Sequence, residues 1–131
     1  MDTLTSKNLK IRQFQSGDEK IIKQWLKDFP VGNWEYDGYE IDIQDAISDG
    51  NHYMIIEDKG DISIGSFSLT KDASSNKTKI MIGIGDCKYR SKDCLRAIRD
   101  AAMQFVENRF AVDDKDIALF FEGRTLSEVL N

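Results

Sequence analysis

The chain has 131 residues, room for one domain with one core but not for two. Acidic residues outnumber basic ones 23 to 18, and the net charge of −5 repels a nucleic-acid backbone unless a local basic patch offsets it, yet the lysines and arginines are interspersed with aspartates and glutamates. No apolar run approaches the roughly 20 residues of a bilayer span, and the opening MDTLTSKNLK lacks the apolar stretch of a leader, so a cytoplasmic protein that binds neither membrane nor nucleic acid is expected.

The segment LKIRQF alternates Leu9 and Ile11 with Lys10 and Arg12, slips in period before Phe14, and predicts a first strand. In SGDEKIIKQWLKDFP, Ser16 and Glu19 have the spacing of a capping box. Ile21, Ile22, Trp25, Leu26 and Phe29 then share one helical stripe, and Pro30 ends the helix. A turn-rich aromatic loop, VGNWEYDGYE, leads to a short second helix with Ile43, Ala46 and Ile47 on one face and Gly50 at its C-terminal end. Tyr53 to Glu57 and Ile62 to Thr70 are β-branched and aromatic and flank Lys59-Gly60-Asp61, the pattern of a hairpin. After the polar KDASSNK, the run TKIMIGIGD reads as a fourth strand whose Gly83 and Gly85 mark either a bulge, the favoured reading, or a packing adjustment. From Asp93 the period becomes helical, with Leu95, Ile98, Ala102, Phe105 and Val106 on one stripe. IALFF, almost continuously apolar, predicts a last strand buried on both faces, and TLSEVLN the start of a further helix. The order gives an α/β fold, a mixed and mostly antiparallel sheet flanked by helices, as a single domain over residues 1–131.

Cys87 and Cys94 are the only cysteines and His52 the only histidine. That set is too small for a metal site, and the thiols are read as reduced. Chemistry concentrates instead in GDCKYRSKDCLRAI, where a strand gives way to the third helix. The first amides of a helix lack intrahelical acceptors and lie at the positive end of its peptide dipoles, so they suit an anion. Arg90, Ser91 and Lys92 are the natural phosphate partners there. Asp93 has the chemistry of an N-cap and competes for the same N–H groups. The loop therefore either cradles an anion or seals itself.

Taken in order, LKIRQFQSGDEKIIKQWLKDF, YMIIEDKGDISIGSFSL and IGIGDCKYRSKDCLRAIRDAAMQF resemble the GNAT superfamily of acetyl-CoA-dependent N-acetyltransferases, from Leu9 to the end of the chain. The likeness is nearest to the branch that acetylates protein N-termini and small amines. It implies a twisted sheet whose fourth and fifth strands splay apart around acetyl-CoA, here without the last strands of the family. The cofactor-binding residues it implies are Ile84, Asp86, Cys87, Arg90, Ser91, Lys92, Asp93 and Cys94, and Trp34, Tyr36 and Tyr39 would shape the acceptor pocket. Asp93 and Leu95 stand where the family carries glycines. The family's strand glutamate would fall near Lys79, and Thr125, Ser127 and Val129 occupy the region of its terminal tyrosine. No catalytic residue is thereby assigned, and Glu57, Asp86 and Tyr89 are the candidates for proton transfer. Two functions follow: acetyl transfer to an amine or protein N-terminus, ranked first, and a protein-interaction module that retains the fold without catalysis. A homodimer or protein partner is expected to complete the sheet along IALFF.

Overall fold

Strands that alternate apolar and polar residues pair with their neighbours in the order in which the chain makes them. The computed structural model describes residues 5–28, 50–71, 75–85, 87–121 and 124–125. Its elements are β1 (Leu9–Gln13), α1 (Asp18–Asp28), β2 (His52–Glu57), β3 (Ile62–Lys71), β4 (Thr78–Ile84), α2 (Lys92–Phe110), β5 (Ile117–Phe121) and β6 (Arg124–Thr125). The sheet order is β1-β2-β3-β4-β5-β6. Every neighbouring pair is antiparallel except β4 and β5, which run parallel. A parallel neighbour cannot be reached by a tight turn, and α2 supplies the crossover.

The two faces of the sheet follow from strand parity. Tyr53, Phe67 and Ile82 fall in one row, and Ile55, Gly65 and Ile84 in the next. With Leu69, Ile80, Leu119 and Phe121 they form the buried core under Leu95, Ile98, Ala102 and Val106 of α2. Tyr53 stacks on Phe67 with ring centroids 5.1 Å apart, and Phe105 meets Tyr53 edge-on at 5.1 Å. The opposite parity carries Met54, Ser66, Ser68 and Gly83, all buried, on the side of α1. There Arg12 of β1 donates both Nη1 and Nη2 to the buried carboxylate of Asp18, at 2.8 and 2.9 Å, and Gln15 N–H adds a third bond at 2.8 Å. Such a bidentate pair fixes the angle at which α1 leaves β1.

Several expectations are corrected in detail. The Ser16–Glu19 capping box does not form: Glu19 accepts from Gly17 N–H at 2.9 Å and Asp18 reaches back to Gln15, so the helix entry is held by two carboxylates. The register irregularity lies at Ile64 of β3, between the pairs Ile55–Gly65 and Ile56–Ser63, and not at Gly83 and Gly85. β3 and β4 pair without a break from Gly65–Ile84 to Lys71–Thr78. IALFF is buried at alternate positions, Ile117, Leu119 and Phe121, rather than on both faces. Beyond it, Arg124 and Thr125 pair with Phe121 and Phe120 as a short strand, and the rest of TLSEVLN, where a helix was expected, lies outside the described residues. The second predicted helix and the Pro30 stop lie outside the described residues.

Candidate functional site

The site is set by where the parallel ladder ends. β4 and β5 pair over five rungs, from Thr78–Ile117 to Ile82–Phe121. β4 then runs on through Gly83 and Ile84, paired only with β3 among the described residues. Gly85 N–H donates to Ile64 C=O on β3 at 2.8 Å. Because strand residues alternate in direction, the N–H and C=O of Ile84 face the other way, toward the side on which β5 has stopped. Among the described residues the β4–β5 ladder thus ends at Ile82–Phe121, and the end of β4 at Ile84 lies past it.

The chain next makes a 3-10 turn at Cys87–Tyr89 and enters α2. Ser91, not Asp93, caps that helix: it is extended (φ −64, ψ 155) and its Oγ accepts from Cys94 N–H at 3.2 Å. Leu95 N–H bonds the Ser91 carbonyl at 2.9 Å. The N–H groups of Lys92 and Asp93 have no acceptor among the described residues, as the first turn of a helix dictates. The Asp93 side chain is 75% exposed and turns along the helix to Arg96, at 3.3 Å. The self-sealing alternative through Asp93 is thus not what the chain does, because its carboxylate pairs with Arg96 along the helix while Ser91 takes the cap.

Around those amides stand three cations in five residues, Lys88, Arg90 and Lys92. Arg90 is half-buried and donates Nη2 to the Ile84 carbonyl at 3.4 Å, linking the loop to the end of β4. Lys88 places its ammonium 5.1 Å from the centre of the Tyr89 ring. Tyr89 is buried and donates its hydroxyl to Glu57 Oε2 at 3.2 Å. Burial, then the bond to Glu57, pushes this phenol above its usual 10.0, with Lys88 opposing.

Of the expected residues, the structure brings Ile84, Arg90, Ser91, Lys92, Asp93 and Cys94 to one end of the sheet, with the backbone of Cys87 opening the turn. Asp86, Trp34, Tyr36 and Tyr39 lie outside the described residues. Glu57 and Tyr89 meet, but as partners of one another. Lys79 lies at the far end of β4 with its ammonium 5.2 Å from the Phe120 ring centre, and faces no opening at Ile84. One contact had no signal in the sequence beyond a glycine after a strand. Trp25 of α1 lies flat on Gly85, so close that a Cβ there would come within 2.1 Å of the indole.

No family model and no curated protein sequence matches the chain. Solved structures do. A GNAT-family acetyltransferase from Bacillus anthracis superposes with a TM-score of 0.64 at 16% identity, over 86% of this chain and 69% of its own. The spermidine/spermine N-acetyltransferase SpeG from Vibrio cholerae gives 0.59 at 15% identity, over 87% and 68%. A dodecameric structure of the Vibrio cholerae spermidine enzyme gives 0.59 at 16%, over 86% and 69%. At such identities the likeness is one of fold.

Proposed function

We propose that this chain, which has the fold of the GNAT acetyltransferases, transfers an acetyl group from acetyl-CoA to a primary amine or protein N-terminus. The observation that carries the reading is the capping of α2 by Ser91, which leaves the Lys92 and Asp93 amides without an acceptor among the described residues, at the end of the sheet where the last described β4–β5 rung lies. Helix N-termini favour anions by about 0.3–1 kcal/mol through the dipole alone, and Lys88, Arg90 and Lys92 add charge that this otherwise acidic chain concentrates nowhere else so closely. The residues present therefore fit a diphosphate.

Bound there, acetyl-CoA supplies a thioester, a carbonyl that an unprotonated amine can attack. The chain's part is positioning. Ile84 lies past the last described rung between β4 and β5, where a strand end suits the extended pantetheine arm. Arg90, Ser91 and Lys92 fix the phosphate end. Holding two reactants in a near-attack arrangement is itself worth several kcal/mol of barrier. Deprotonation of the amine is assigned to water, because Glu57 accepts the Tyr89 hydroxyl and Lys79 stands at the far end of β4.

A second reading, a binding module that keeps the fold without catalysis, draws on the lack of an assigned base among the described residues. Calorimetry separates the two. Wild type is expected to bind acetyl-CoA with micromolar affinity, and Arg90→Ala with Lys92→Ala to weaken it by roughly tenfold or more through two lost charge-assisted contacts. Absence of binding by folded wild type at millimolar ligand rejects the enzyme and leaves the module. Acetyl-CoA consumption with spermidine or an N-terminal peptide as acceptor then tests the class of amine. For either reading the partner proposed is a second copy of the chain along β5, whose outer side β6 covers only at Phe120 and Phe121 among the described residues.

A further inference from the structure

We propose that Tyr89, held by Glu57, is the positioning residue of the diphosphate cradle: it fixes the turn that presents the α2 amides and holds the Lys88 ammonium beside them. The inference rests on the acetyl-CoA reading above and assigns Glu57 and Tyr89 to positioning rather than proton transfer.

The geometry is a brace across the end of the sheet. Glu57 is the last residue of β2, and β2 runs in the same direction as β4, each being antiparallel to β3. It stands two residues beyond the row Ile55–Gly65–Ile84, at the end where the β4–β5 ladder has stopped. Tyr89 closes the 3-10 turn, two residues before the Ser91 cap. The bond between them spans 32 residues of sequence and ties the turn to β2. Tyr89 is 8% exposed and Glu57 half-buried, so the bond is partly shielded from competing water. The ring carries the second task, because its face holds Lys88 Nζ at 5.1 Å. Arg90 adds a longer tie from the same loop to the sheet, its Nη2 donating to the Ile84 carbonyl at 3.4 Å. Tyr89 thus sets the backbone through its hydroxyl and a cation through its ring.

Those two tasks can be separated. Tyr89→Phe keeps the ring and removes the hydroxyl; Tyr89→Leu removes both. Glu57→Gln keeps an acceptor for the phenol, and Glu57→Leu does not. Each folded variant is titrated with acetyl-CoA and, by ligand-observed NMR competition, with S-acetylpantetheine, which lacks the diphosphate. Tyr89→Phe and Glu57→Leu are expected to weaken acetyl-CoA roughly fivefold, the equivalent of one hydrogen bond. Tyr89→Leu weakens it further, Glu57→Gln restores most of it, and S-acetylpantetheine is unchanged throughout. An equal loss for both ligands means a general loosening of the fold and overturns the inference, as does acetyl-CoA binding unaltered in every variant. Wild type that binds neither ligand rejects the acetyl-CoA reading itself, an outcome distinct from both.

Discussion

Ser91 and Asp93 stand two positions apart, and the difference decides whether the loop is open. Both residue types cap helices well, and nothing in their spacing says which will be extended and which already helical. The chain uses Ser91, and Asp93 falls inside the first turn, where its charge still suits the dipole but its oxygens pair with Arg96. The residue types at the site were therefore legible, whereas their roles were not. Ser91→Ala is expected to lower stability by about 1 kcal/mol, read as a shift in urea midpoint. Asp93→Asn is expected to change the dissociation constant for acetyl-CoA by less than about twofold at physiological salt, since an exposed, paired charge is largely screened. A tenfold gain in affinity on that single change would restore the self-sealed loop.

At the scale of elements, residue pattern located α1, the hairpin, β4 and α2: the helices by an apolar stripe, the strands by β-branched and aromatic runs. It could not say where on the sheet α1 lands. Trp25 was readable as a core residue, yet its partner is the backbone of Gly85, 60 residues on and one step past β4. A glycine chosen for close approach looks, in sequence, like one chosen for a bulge. β6 was missed for a plainer reason, since two residues have no period. The Trp25–Gly85 contact makes a sharp prediction. In Gly85→Ala the new methyl would meet indole atoms at 2.1, 2.2 and 2.6 Å, so α1 must shift. Overpacking of this kind costs about 1–3 kcal/mol, seen as a lower urea midpoint. Trp25→Leu is destabilising alone but should relieve the clash, so the double variant is more stable than the two losses added together. Strict additivity would show that the indole does not rest on Gly85 in solution.

For the molecule as a whole, the order of elements was legible: a strand, a helix and a further strand imply a parallel pair, and β4 and β5 are that pair. What the order could not supply is how the sheet finishes. β6 shields β5 only at its last two residues, and Ile117, Ala118 and Leu119 present an outer edge with no strand beside it among the described residues. An edge of that kind is a template for another strand, and a second copy of the chain offers the same edge in return. Each copy carries a charge of −5, so the two repel at long range and the repulsion shortens with added salt. Light scattering at micromolar chain is therefore expected to give twice the chain mass, with the dimer fraction rising between about 10 and 150 mM salt as the Debye length falls from roughly 30 to 8 Å. A monomer mass at every salt and up to millimolar chain rejects association through β5, and a dimer that dissociates as salt is added points to an ion-paired interface elsewhere.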